Sequence, residues 1–417
     1  MRNNVQDPLF RVSKRMSMPI GKRIAIYAGG ILGALVVGMI FIAAIGGNPF
    51  QYIGLIFTAS FKNPLSLKQL FYTFTPLLIT SLGIALAFKI KFWNIGGEGQ
   101  FLFGALMATT VALAIGNSLP KPFGLILVLL AGAIGGGLYA LIPALLRVKF
   151  NTNETLLTLM LNYIAVYLVS MVSKTTFYAI NDGTWSFRQL AQSLRLTSFG
   201  GGGFEIDAGL FISIALAVLM FFYLRNTKQG YEMQVVGDSP ASARYAGMKV
   251  GKIVLRTVFF SGMLIGLAGT LKLTGAATQY KFSTNFTGGV GWTAIIIAWL
   301  CKLNPLAIAV GTLLMSMLEC GSSNAVSTLN ISSASADIIQ GIILFGVLVG
   351  DFFIHYQVRF RKHAFSLPYF GSAPKEEISP ENQRLLDEIR AEITAQDAPR
   401  QSDSPSASDN TVIGGNA

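Results

Sequence analysis

The sequence predicts an all-α polytopic membrane protein with about ten transmembrane helices, and three observations carry that expectation. Of its 417 residues, 52% are hydrophobic and only 12% charged, about half the charged share of a soluble domain. Mean hydropathy is +0.55, more apolar surface than a soluble core needs. The apolar residues gather into runs near the ~20 residues that cross a bilayer, and no alternating strand pattern appears among them.

Taken in order, the runs cover roughly 24–45, 70–88, 100–116, 122–146, 155–173, 208–224, 254–276, 290–301, 303–320 and 336–354. The first is too long for a signal peptide and lacks a small-residue cleavage site, so it reads as a retained anchor. The eighth is short and joins its neighbour through Lys302-Leu-Asn-Pro305. Basic residues set the orientation. With the N-terminus inside, seventeen Lys and Arg before the tail fall on the cytoplasmic side and seven on the other, as the positive-inside rule requires. Both termini are then cytoplasmic.

The expected organisation is a basic cytoplasmic segment over 1–23, a transmembrane domain over 24–356 and a cytoplasmic tail over 357–417. The domain carries a long outside loop at 174–207, where "SFGGGGFEID" reads as a flexible hinge, and an inside loop at 225–253. The tail's Ser/Asp/Asn-rich end reads as disordered, with a short amphipathic helix expected over 375–396. Within the spans, Gly132–Gly136, Gly262–Gly266 and Gly346–Gly350 repeat the small-xxx-small spacing that lets helices approach closely, here within one subunit.

Several functions are disfavoured. Cys301 and Cys320 lack CxxC spacing, and the two histidines, His355 and His363, make no catalytic set. The chain therefore reads as neither enzyme nor metalloprotein. The net charge of +12 is explained by topology, so no nucleic-acid partner is expected. No Walker loop is present, and Gly96-Gly97-Glu98-Gly99 matches neither phosphate-binding pattern and lacks a preceding strand. No cofactor is expected, and any ATP would be bound by a partner subunit.

Three polar stretches remain to be explained. In "KFWNIGGEGQ" (91–100), Gly96, Gly97 and Gly99 permit a helix break, while Asn94, Glu98 and Gln100 supply polar groups. Glu98 is then either a first-turn acid favoured by the helix dipole or part of a translocation pathway, since irregular backbone at membrane depth is buried or lines a wet cavity. Asn153 and Glu154 likewise open the run "LLTLMLNYIAVYLV" as caps or pathway residues, with Asn162 on nearly the same face. The third stretch, Asp238 to Gly247, reads as a short capped helix with Pro240 in its first turn. Its small exposed side chains suit docking into a partner's groove.

On these residues the chain resembles a known family, the ABC importer permeases of the branched-chain amino acid, ribose and nucleoside type. The resemblance rests on "FWNIGGEGQFLFGAL" (92–106), "NTNETLLTLMLNYIA" (151–165) and "GDSPASARYAGMKVGKIVLRTVFFSGMLIGLAGTL" (237–271). "NIGGEGQ" together with "NETLLTLMLNYIA" and the long outside loop is similar to the larger permease of nucleoside importers. The resemblance implies a lipid-embedded subunit of a bacterial cell membrane. It implies three partners: a second homologous permease, a cytoplasmic ABC ATPase and an extracytoplasmic substrate-binding lipoprotein. It also places ATPase coupling on Gly237, Asp238, Ala241, Ala243, Tyr245, Ala246 and Gly247. A ribose-like sugar permease is the alternative within the family. A secondary transporter using Glu98 or Glu154 for a cation is the alternative outside it, although no inverted repeat is visible.

Overall fold

A computed structural model describes residues 10–15, 18–173, 178–181, 184–187, 189–201, 204–275, 280–282, 286–329 and 331–360. The N-terminal residues 1–9, and the tail from 361 onward with its expected helix at 375–396, lie outside the described residues. Contacts divide the chain into 12–358 and a second unit of 1–11 with 359–417; the architecture below is that of 12–358.

After strand β1 (Phe10–Lys14) come α1 (Ile20–Ala44), α2 (Pro49–Lys62), α3 (Pro64–Lys89), α4 (Gly97–Ile115), α5 (Lys121–Phe150) and α6 (Glu154–Ser173). Two hairpins follow, β2 (Tyr178–Asn181) with β3 (Thr184–Phe187) and β4 (Ser198–Gly201) with β5 (Phe204–Asp207). The rest is helical: α7 (Ala208–Asn226), α8 (Lys228–Asp238), α9 (Pro240–Tyr245), α10 (Val250–Thr274), α11 (Val290–Leu300), α12 (Pro305–Leu329) and α13 (Ser333–His355). Strand β6 (Tyr356–Phe360) then pairs with β1.

Among the described residues, nine helices are long and apolar enough to cross a membrane, so the all-α membrane-spanning class holds. The tenth expected span is α11, whose 11 residues reach about 16 Å, roughly half the ~30 Å hydrocarbon. The periodicity also passed over α2. Its 14 residues are too few to span, yet Asn48 caps it by accepting from Phe50 and Gln51, and Pro49 stands in its first turn. Tyr52, Ile56 and Ala59 are buried along one face, and the backbone of Ile56 lies against Gly321 of α12. The glycine-rich "SFGGGGFEID" departs from the expected hinge. Phe199 pairs with Ile206 and Ser198 with Asp207 in an antiparallel pair of strands, with Gly200 at φ +125° near its end, a conformation that favours glycine.

Packing centres on α3, whose residues from Phe74 to Phe88 are buried. Along it packs α10, with Gly83 of α3 against Ser261 and Ile265, and α10 in turn crosses α4 and α5 on glycines. A Cβ on Gly136 would stand 2.6 Å from Gly266 Cα and one on Gly104 would stand 2.9 Å from the Gly132 carbonyl, so these backbones are in direct contact. The small-xxx-small pairs thus seat helices of the same chain. Gly346 and Gly350 do the same for α13 against Gly30 and Tyr27 of α1, where Tyr27 donates to Asp351 at 2.6 Å.

The bundle has two recognisable ends. At the hairpin end, Lys68 of α3 pairs with Glu205 of β5 at 2.7 Å. At the α9 end, a second apolar cluster joins Leu86, Ile90 and Phe92 to Met233, Val236, Ala243 and Ile253.

Candidate functional site

The stretch between α3 and α4 folds as a polar knot. Asn94 and Gln100 are buried and exchange amide hydrogen bonds, Nδ2 to Oε1 at 3.0 Å and Nε2 to Oδ1 at 2.9 Å. Asn94 Oδ1 also accepts from the Gly96 amide at 3.0 Å. From α6, Asn162 receives the Gly99 N–H at 2.8 Å and donates to the Ile95 carbonyl at 2.9 Å, while Thr158 Oγ1 receives the Ile95 N–H at 3.2 Å. Irregular backbone in a membrane-spanning bundle must find its partners internally, and these side chains provide them.

Glu98, in the first turn of α4, acts on a different helix. Its carboxylate accepts from the Gly289 amide at 3.1 Å and the Gly291 amide at 2.7 Å, the first backbone donors of α11. The N-terminal poles of α4 and α11 therefore meet at one carboxylate, and both dipoles favour that negative charge. Gly291 makes the approach feasible, since a Cβ there would stand 2.6 Å from Glu98 Oε2.

The second stretch is built separately. Asn153 Oδ1 accepts from Thr155 and Leu156, at 3.0 and 3.4 Å, and so caps α6. Glu154 is buried and paired with Arg147 from the last turn of α5. Of the residues singled out in the sequence, Asn94, Gly96, Gly97, Glu98, Gly99, Gln100 and Asn162 converge on one knot; Asn153 and Glu154 do not join it.

The third stretch divides at Ser239. Gly237 and Asp238 end α8, where a Cβ on Gly237 would run into the Lys89 carbonyl at the end of α3. Ser239 caps α9, accepting from the Ser242 amide at 3.2 Å. The α9 turn is anchored by Ala243, which is fully buried, and it leaves Tyr245 93% exposed. Ala241, Ala246 and Gly247 are exposed with it, and Gly247 closes the turn at φ +75°, where a Cβ is disfavoured. Beside Gly237 and Asp238 lies a cavity of about 460 Å³, in which Trp93 stacks on Trp299 at 5.4 Å.

Residues 66–348 match the family described as branched-chain amino acid transport system / permease component. The chain belongs to this family. Among its relatives is a glucose ABC transporter permease protein of Haloferax volcanii, 30% identical over 79% of this chain and 88% of the relative. A guanosine ABC transporter permease protein of Bacillus subtilis is 29% identical over 79% of this chain and 93% of the relative. A nucleoside ABC transporter permease protein of Lactococcus lactis is 27% identical, over 78% and 89% respectively.

Two charged residues lie singly in apolar runs of the permease: Lys272, which the sequence already places inside a span, and Glu319, which the sequence reading passed over. Lys272 of α10 donates to the Thr287 carbonyl at 3.1 Å and lies within electrostatic reach of both Glu319 and Glu98. Glu319 lies on α12. An ionisable residue inside a spanning helix is itself the signal that could have found it.

Proposed function

We propose that this permease is the larger membrane subunit of an importer that carries nucleosides across the plasma membrane. The observation that carries the reading is α9: a short helix anchored by Ala243, with Tyr245 and its small neighbours presented outward. Large exposed aromatics set among small residues suit capture by a partner, here a cytoplasmic ABC ATPase. The α9 end is then cytoplasmic, in keeping with the excess of basic residues there. The hairpin end faces an extracytoplasmic binding lipoprotein, and a second homologous permease completes the pore. ATP acts in the ATPase, and α9 transmits its movement as a rigid lever between two packings of the pore.

Two relatives named for guanosine and nucleoside transport support the solute class. The relative named for glucose, of similar identity and coverage, favours a sugar as the second reading. The contacts of its two candidate residues weigh against the cation-coupled alternative. The Glu98 oxygens are occupied by α11 amides, and Glu154 is paired with Arg147.

The deciding experiment measures uptake of labelled uridine, guanosine, ribose and glucose into cells carrying the complete transporter or lacking its ATPase. Nucleoside uptake that requires the ATPase is expected. Uptake that survives without the ATPase but collapses with an uncoupler overturns the reading, and uptake confined to the sugars replaces its solute. Within the same assay, Tyr245→Ala is expected to abolish most uptake while leaving the permease inserted at its normal level.

A further inference from the structure

Between α3 and α12 lies a cavity of about 370 Å³, separate from the Glu98 knot. Ser66, Gln69 and Thr73 of α3 line one side; Glu319, Ser323 and Asn324 of α12 line the other. The spacing of each set places it on one helical face, so two membrane-spanning helices turn polar stripes toward each other. Hydrocarbon does not tolerate such stripes unless they satisfy one another or enclose a polar occupant.

Among the described residues they meet in one weak bond, from the Cys320 thiol to the Ser66 carbonyl at 3.6 Å, and the polar side chains otherwise leave one another unpaired. Asn324 spends its amide donor within its own helix, on the Cys320 carbonyl at 2.9 Å. Glu319 makes no hydrogen bond or ion pair among the described residues. Its charged neighbours are Lys272 of α10 and Asp337 of α13, the second of like sign. The cavity therefore holds a carboxylate with unused acceptor capacity, flanked by amides and hydroxyls able to donate and accept.

We propose that this cavity is a solute-recognition site of the translocation pathway, with Glu319 receiving the two hydroxyls of a vicinal diol such as that of a ribosyl ring. The inference rests on the importer reading above and adds the residue that grips the solute. A carboxylate can accept from both hydroxyls of a diol at once, and Gln69, Thr73, Ser323 and Asn324 suit the remaining ring oxygens. The charge pattern excludes other occupants. Anions and the carboxylate of an amino acid would meet Glu319, while Lys272 supplies the cationic neighbour that a bound metal ion would otherwise provide. The volume lies within the range of small-molecule sites. Ser66 to Thr73 belong to the first turns of α3, so the cavity sits in the half of the bundle nearest the hairpin end, where a binding lipoprotein would release its cargo.

The test uses the complete transporter in proteoliposomes with saturating binding lipoprotein. Glu319→Gln is expected to lower uridine uptake about tenfold or more, the loss of a charge-assisted hydrogen bond, and to leave 2′,3′-dideoxyuridine uptake within about twofold of the parent. Equal losses for both solutes, or none, overturn the proposal. As a second readout, Ser323→Cys in a background with Cys301 and Cys320 replaced by serine is treated with a membrane-impermeant methanethiosulfonate. Labelling that uridine slows, and that blocks uptake, is expected; a thiol that never reacts in any nucleotide state overturns the site. Wild-type complex that takes up none of uridine, guanosine, ribose and glucose overturns the importer reading and this inference with it. Normal wild-type uptake with an unaffected Glu319→Gln overturns the inference alone.

Discussion

Glu98 and Glu319 are both carboxylates in spanning helices, and their surroundings are opposite. Glu98 is partnered: each of its oxygens accepts from a backbone amide at the start of α11, and two helix N-termini stabilise its charge. Glu319 faces a polar cavity with no hydrogen-bonding partner among the described residues. The comparison separates two uses of the same chemistry. One carboxylate replaces the backbone partner that a broken helix lacks, and removing it should cost stability. The other is held open, and removing it should cost transport while sparing the fold.

The largest stability loss is expected from Glu98→Ala, which leaves the Gly289 and Gly291 donors unpaired at about 1–3 kcal/mol each. Thermal denaturation of the purified permease in detergent should fall sharply, and Glu98→Gln should recover part of the loss because an amide oxygen accepts one of the two bonds. A normal midpoint for Glu98→Ala would break the comparison, since Glu98 would then owe its place to something other than α11. A smaller loss follows from Asn162→Ala. The Gly99 N–H and the Ile95 carbonyl lose their side-chain partner, at a cost of about 1–3 kcal/mol. Smaller again is Asn153→Ala, which removes the cap of α6 for about 1 kcal/mol. That change should leave the knot intact, because Asn153 takes no part in it; a loss as large as that of Asn162→Ala would show that the two stretches are coupled.

Much of this was legible in the sequence. The long apolar runs marked nine spanning helices because length and composition alone decide them. The glycines of "NIGGEGQ" marked a helix break because little else allows one. What could not be read was the partner. Glu98 sits in the first turn of α4, so local logic offers its own helix or a water-filled path. Its actual acceptor role depends on Gly289 and Gly291, almost two hundred residues later, and no periodicity links the two places. The same limit hid α2, too short to span and held by contacts with α12. It also hid the surroundings of Glu319, which the sequence shows as one acid in an apolar run and the fold sets opposite Gln69 and Thr73 of α3.

The smallest predicted stability change is therefore the most discriminating. Glu319→Gln keeps the side chain's shape and removes no hydrogen bond seen among the described residues. Lys272 retains Glu98 as a neighbouring charge. The midpoint should fall less than for Asn153→Ala, because no hydrogen bond among the described residues is lost, while uridine uptake falls. A drop comparable to that of Glu98→Ala would mean that the Lys272–Glu319 interaction stabilises the bundle. Both carboxylates would then belong to one charge network running from α4 through α10 to α12. A stable, assembled permease with impaired uptake would instead separate the two roles at one group, since glutamine keeps the shape of glutamate and exchanges an acceptor oxygen and its negative charge for an amide donor.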